Sequence, residues 1–198
     1  MTVGKAMIIG PEDTPYAFCP LVFSFKLSDD YPFSPPAVQI LTSDGVTRFH
    51  PNLYVGGKVC LSILGTWNGP KWSAVMTIST VLSSIQSLLE SNPITNEPGW
   101  EKYTLEHPQA KDYAELVRNR IVSLSFRDLS RWRRGQIPHF WREFEDVLTE
   151  RGEELYQKLL GIIQVEAESG EKSYSDIPYS MSGVTDWGRL LELGNQLP

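Results

Sequence analysis

The side chains best suited to covalent chemistry lie in one stretch, His50-Pro51-Asn52-Leu53-Tyr54-Val55-Gly56-Gly57-Lys58-Val59-Cys60-Leu61-Ser62-Ile63-Leu64. A cysteine that follows a glycine-rich loop, with a histidine and an asparagine close by, suits nucleophilic attack on an acyl group. A thiol with pKa ~8.5 is only partly thiolate at neutral pH, so Cys60 needs local help or a reactive substrate. The competing assignment is structural, because free cysteines are among the most buried residue types. A thiol hydrolase built on Cys60 and His50 would also need a third group to orient the histidine, and none is marked. Spacing alone leaves the nucleophilic and structural readings open.

Composition narrows the setting. The 198 residues suffice for one sizeable domain with an appendage. Apolar residues make up 41% and charged residues 21%, ordinary for a globular chain. A net charge of −6 gives no electrostatic case for nucleic acid. No apolar run approaches the ~20 residues of a membrane span, and Met1-Thr2-Val3-Gly4-Lys5 lacks the apolar core of a secretion signal. The two cysteines, Cys19 and Cys60, and the scattered His50, His107 and His139 form no disulfide framework or metal cluster. The expectation is a cytoplasmic or nuclear protein with reduced thiols, no metal and no cofactor.

The elements around the stretch follow from periodicity. Ala6–Ile9, Leu21–Leu27 and Ala37–Leu41 read as three short strands, separated by Gly10-Pro11, Asp29-Asp30-Tyr31-Pro32 and Pro35-Pro36. Compact turns between them predict an antiparallel meander. From Thr42 to Ser73 the pattern is irregular, yet Leu61, Ile63, Leu64, Trp67 and Trp72 predict that this segment is packed. Ile78, Val81, Leu82, Ile85, Leu88 and Leu89 make one apolar helix face, with Thr77 as cap and Asn92-Pro93 as stop. A second helix is predicted over Tyr113–Phe126, a break at Gly135–Pro138 and a longer helix from Phe140 to about Val165. Phe144, Val147, Leu148, Tyr156, Leu159, Leu160 and Ile163 form the apolar side of that longer helix. Glu166–Ser175 reads as polar linker, and Trp187, Leu190, Leu191 and Leu193 as a short apolar terminal segment. Arg131-Trp132-Arg133-Arg134 reads as a solvated helix end whose cations suit the dipole. Cys19 reads as structural, and Trp67 and Trp72 as core or loop anchors.

Several motifs in one register carry more than any of them alone. Gly10-Pro11, Thr14-Pro15-Tyr16, Tyr31-Pro32-Phe33-Ser34-Pro35-Pro36, His50-Pro51-Asn52, Cys60-Leu61-Ser62-Ile63-Leu64, Trp72-Ser73 and Ser84-Ile85-Gln86-Ser87-Leu88-Leu89 occur in that order. Together they resemble the ubiquitin-conjugating (E2) enzymes over roughly Met7 to Glu97. The insertion Gly65–Pro70 and Asn96-Glu97-Pro98-Gly99 are similar to the large, C-terminally extended branch served by the alternative ubiquitin-activating enzyme.

The resemblance implies an α+β fold, an antiparallel meander packed on a central helix, with a conjugating domain over residues 1–128 and a helical C-terminal extension over 129–198. It implies that Cys60 takes ubiquitin or a ubiquitin-like protein from an activating enzyme (E1) as a thioester, then yields it to a lysine or a ligase (E3) cysteine. Asn52 becomes a candidate oxyanion donor, with loop support as its rival role. Glu97 becomes the candidate acidic group near the incoming lysine, His50 and Pro51 the structural part of the motif, and Phe33 and Ser73 candidate ligase contacts. Ser73-Ala74-Val75 departs from the family's Ser-Pro-Ala, and Cys19 stands where the family has glycine. Only about five residues precede the Ala6–Ile9 strand, where the family has a helix and a further strand. This implies weakened charging and a strand edge open to self-association, so the alternative is a non-catalytic interaction module that is not productively charged.

Overall fold

A computed structural model describes the structure of residues 2–195. Strand β2, Pro20–Leu27, is buried along most of its length, and such a strand needs neighbours on both edges and cover on its faces. It receives β1, Thr2–Ile9, on one edge and β3, Ala37–Ile40, on the other, both antiparallel. The sheet order is β1-β2-β3, so the expected meander is present, with β1 at its edge. β1 starts four residues before the expected Ala6, and Lys5 on it reaches across to ion-pair with Glu143.

The turn from β1 to β2 depends on close approach. Gly10 N–H donates to the Cys19 carbonyl at 2.9 Å, and Phe18 N–H donates back to the Gly10 carbonyl at 3.0 Å. A Cβ on Gly10 would stand 1.9 Å from the Tyr16 carbonyl oxygen, so only glycine fits. Cys19 is fully buried here and burial pushes its thiol up to about 12, which agrees with a structural role.

Helix α1, Ile78–Leu88, starts where expected: the Thr77 hydroxyl accepts from Thr80 N–H, and Thr80 returns the bond to the Thr77 backbone. Val81 and Ile85 on it have no exposed surface. Helix α2 runs unbroken over Pro108–Arg133, so the expected boundary at 128/129 falls inside it. Its buried residues include Tyr113, Val117, Ile121, Val122, Phe126 and Leu129, more than a single stripe. A helix wrapped in this way lies between two layers. One is the sheet and α1; the other is built by the C-terminal residues, and a single hydrophobic cluster runs from Ile8 to Leu190 through α2.

The C-terminal layer is α3, Glu145–Ala167, a two-stranded sheet and α4, Trp187–Asn195. A 3-10 turn over His139–Phe144 occupies the first part of the helix expected from Phe140. Leu148, Leu155, Tyr156, Leu159 and Ile163 form the buried stripe of α3, whereas Val147 is exposed. The Phe126 and Tyr156 rings stack at 4.9 Å between α2 and α3. The basic cluster is not merely a solvated end: Trp132 lies against Gly152, and Arg133 pairs with Glu153 at 3.1 Å while covering the Tyr156 ring.

The expected linker is the main correction. α3 extends to Ala167, and the polar run continues into the antiparallel hairpin of β4, Lys172–Ile177, and β5, Met181–Thr185. Its buried side chains are Tyr174, Ile177 and Thr185, the first two packed with Leu116 of α2. Lys172 and the Tyr174 hydroxyl both reach Glu115 of α2, at 3.0 and 2.7 Å, so the hairpin is docked rather than free.

Candidate active site

The Cys60 segment has little regular structure, so its shape must come from hydrogen bonds other than ladders or helix turns. Asn52 supplies two. Cys60 N–H donates to the Asn52 carbonyl at 2.8 Å, and the Asn52 side-chain amide donates to the Cys60 carbonyl at 2.8 Å. Thr66 supplies the flanking pair: its hydroxyl accepts from Leu61 N–H at 3.0 Å and lies 2.8 Å from the Val59 carbonyl. The backbone is thereby tied on both sides of the thiol. A 3-10 turn over Ser62–Leu64 follows, closed by Gly65 in the left-handed region at φ 70°.

His50 sets the other end of this constellation. It has no exposed surface, and its Nδ1 accepts Asn52 N–H at 2.9 Å, which fixes the turn that presents the Asn52 amide. Burial holds the imidazole pKa down at about 3, so the ring is neutral and a poor proton acceptor. That removes support from a hydrolase in which His50 activates Cys60. Pro51 is buried beside it, and its carbonyl accepts from Arg48. Cys60 itself is 1% exposed, so the thiol lies beneath the surface of its loop. The insertion packs on the 3-10 turn that follows Cys60: a Cβ on Gly69 would sit 3.0 Å from the Ser62 side chain.

Glu97 is half-buried on the loop after the 3-10 turn Pro93–Asn96, and its carboxylate accepts from the Tyr179 hydroxyl at 2.6 Å. Tyr179 lies in the turn of the C-terminal hairpin. Arg48 joins the two parts: its guanidinium lies 3.3 Å from the Tyr54 ring centre and 4.8 Å from that of Tyr179. The same guanidinium donates to the carbonyls of His50, at 3.1 Å, and Pro51. Sequence reasoning missed Arg48, Tyr54, Thr66 and Tyr179. The Arg48–Tyr179 pairing has no local signal, and Thr66 differs from any surface threonine only by following Gly65.

The two candidate ligase contacts lie on loops that a single bond joins. Trp72 donates its indole N–H to the Pro32 carbonyl at 2.7 Å, with its ring 6.2 Å from that of Tyr31. This makes Trp72 the anchor that sequence predicts. Phe33, 82% exposed, and Ser73, also exposed, each follow one end of that bond. Val75 extends the exposed surface. Trp67 is exposed rather than an anchor, because the insertion that carries it projects into solvent.

Among the described residues no group of three or more His, Cys, Asp or Glu side chains is placed to hold a metal ion. None of the helices there is long and apolar enough to cross a membrane. The arrangement offers a buried thiol on a doubly tied backbone with an adjacent amide, and, linked to that loop through Arg48 and Tyr179, a carboxylate oriented by a phenol. Such a set can support acyl transfer through sulfur once the thiol is uncovered.

Residues 1–121 match the family described as ubiquitin-conjugating enzyme. The chain is similar to the human protein named ubiquitin-conjugating enzyme E2 Z, 48% identical over 131 residues, which cover 65% of this chain and 36% of that protein. The zebrafish (Danio rerio) protein of the same name is 48% identical over 131 residues, 65% of this chain and 39% of its own length. The human dual E2 ubiquitin-conjugating enzyme/E3 ubiquitin-protein ligase BIRC6 is 47% identical over 108 residues, 52% of this chain and 2% of that protein. The matched segment thus spans little more than a third of the E2 Z relatives.

Proposed function

This chain belongs to the ubiquitin-conjugating enzyme family, and from that premise we propose that it carries ubiquitin or a ubiquitin-like protein as a thioester on Cys60. The Cys60 thiolate attacks the thioester carbonyl of the modifier held by an activating enzyme. A C–S bond forms to Cys60 and the activating enzyme's cysteine leaves as thiolate. A substrate lysine amine, or a ligase thiolate, then attacks the new thioester. With an amine, the C–N bond forms, the C–S bond to Cys60 breaks, and the amine proton passes to solvent or a nearby base. A lysine with pKa ~10.4 needs help in losing that proton. Glu97 is the acidic group we assign to the incoming amine.

The observation that carries this reading is the reciprocal pair of 2.8 Å bonds between Asn52 and Cys60. They hold the sulfur-bearing residue in one backbone conformation although it lies outside any strand or helix. We assign Asn52 to loop support, since its amide is engaged by the Cys60 carbonyl. Phe33 and Ser73 form the surface assigned to a ligase.

The burial of Cys60 favours a second reading, an interaction module that keeps the fold without being charged. One assay separates the two. The protein, a panel of activating enzymes, ubiquitin and ATP are incubated and resolved on a non-reducing gel, with Cys60→Ala and Cys19→Ala alongside. A reducible adduct lost only in Cys60→Ala is the expected result. No adduct with any activating enzyme would leave the interaction module as the function.

A further inference from the structure

Tyr179 combines a costly backbone with a full set of partners. It has φ 65°, and Ser180 beside it has φ 54°, in the left-handed region that bulky side chains avoid. Strain of this kind persists only where surrounding structure enforces it, and it concentrates where a side chain is needed in one place. The phenol donates to Glu97 at 2.6 Å. The ring forms one wall beside the Arg48 guanidinium, which also lies over the Tyr54 ring. Its edge meets the Tyr113 ring at 5.8 Å. Burial and the adjacent carboxylate push the phenol far above its ordinary range, so it remains a proton donor.

Arg48 is held from several directions. The Tyr113 hydroxyl donates to its carbonyl at 2.8 Å, and its N–H lies 3.3 Å from Met181 Sδ on the hairpin. Its guanidinium donates to His50 and Pro51, and that turn presents Asn52 to Cys60. A continuous line of contacts therefore runs from the hairpin turn to the backbone of the thiol. The hairpin lies outside residues 1–121, which carry the family match.

We propose that the C-terminal hairpin is a strut for the Cys60 loop and that Tyr179 is its positioning residue, orienting Glu97 through its hydroxyl and locking Arg48 through its ring. The inference rests on the thioester reading for the role of Glu97, while its mechanical half concerns the loop alone. Losing the hydroxyl frees the carboxylate but leaves the wall beside Arg48. Losing the ring also unpins the His50–Asn52 turn and so exposes the thiol more often.

The test uses the full chain as wild type, Tyr179→Phe and Tyr179→Ala, with two readouts. In the first, the Cys60–ubiquitin thioester is preformed, and its discharge to free lysine is compared with discharge to 2-mercaptoethanol. Tyr179→Phe is expected to lower the lysine-to-thiol ratio about threefold to tenfold, in line with the net worth of one hydrogen bond. A merely structural role would slow or spare both reactions together. In the second, N-ethylmaleimide labelling of Cys60 and Cys19 is followed by peptide mapping without any activating enzyme. The Cys19 thiol, buried in the β1–β2 turn with the Ala17 carbonyl as its partner, takes no part in this line of contacts and so reports general loosening. Tyr179→Ala is expected to raise the Cys60-to-Cys19 labelling ratio about tenfold, from loss of one packed cation–π wall. An unchanged labelling ratio overturns the proposal whatever the discharge result. If the wild type accepts no modifier, the thioester reading fails, and the labelling ratio alone decides whether the hairpin is a strut.

Discussion

Acid should destabilise this protein through one side chain, and the size of the effect can be worked out. His50 has no exposed surface, and burial holds its pKa at about 3. In the unfolded chain a histidine titrates near 6.5. Below that pH the unfolded state takes up a proton that folded His50 refuses. Stability is therefore complete above about pH 6.5 and is lost as pH falls toward 3. At ~1.36 kcal/mol per pH unit, the loss is about 2 kcal/mol at pH 5 and approaches roughly 5 kcal/mol near pH 3. Domains of this kind have only about 5–15 kcal/mol in total. Urea unfolding of wild type and His50→Asn at pH 7, 6, 5 and 4 isolates the effect, because the two proteins differ in no other ionisable group. The variant is expected to be less stable at pH 7, where it loses the fitted ring, and its deficit should shrink as pH falls. Parallel stability curves would refute the reasoning, as would an NMR titration of the folded protein in which His50 protonates near pH 6.5.

Gly10→Ala forces a methyl onto the Tyr16 carbonyl, so a loss of about 3 kcal/mol or more is expected, read as a lower urea midpoint. Thr66→Val keeps the shape but removes the hydroxyl between Val59 and Leu61. It should cost about 1–3 kcal/mol and slow thioester formation on Cys60 in the charging assay. Phe33→Ala removes an 82% exposed ring, so unfolding should move by no more than about 0.5 kcal/mol. Ligase-stimulated discharge of the thioester should nonetheless fall; unchanged stimulation would remove Phe33 from the ligase surface.

How much of this was legible depends on the range over which each signal acts. The Thr77 cap and the apolar spacing of α1 are local, and both stand as read. Strand β2 declares itself by its aromatic and branched residues. The Cys60 loop was legible as a motif, but the burial of its thiol was not, since burial depends on what packs above it. The run Glu166–Ser175 reads as linker although it holds the end of α3 and the start of β4, because it is polar and within β4 only Tyr174 and Ile177 are buried. The stability of the β4–β5 hairpin comes from Leu116 and Glu115 on α2, far away in sequence. Arg48 and Tyr179 escaped notice for the same reason: neither belongs to a periodic pattern, and their pairing exists only after α2 has brought the two halves together.

On the thioester role proposed for Cys60, its depth also bears on how the protein survives between turnovers. Peroxide converts a thiolate first to sulfenic acid and then, irreversibly, to sulfinic and sulfonic acids, and accessibility governs the first step. A thiol 1% exposed at rest is screened from that sequence. Its damage rate is then set by how often the loop opens, and opening that is tied to arrival of a partner confines the vulnerable state to moments of use. The fold thereby separates durability from reactivity: the resting chain can persist in an oxidising episode that would disable a permanently open thiol.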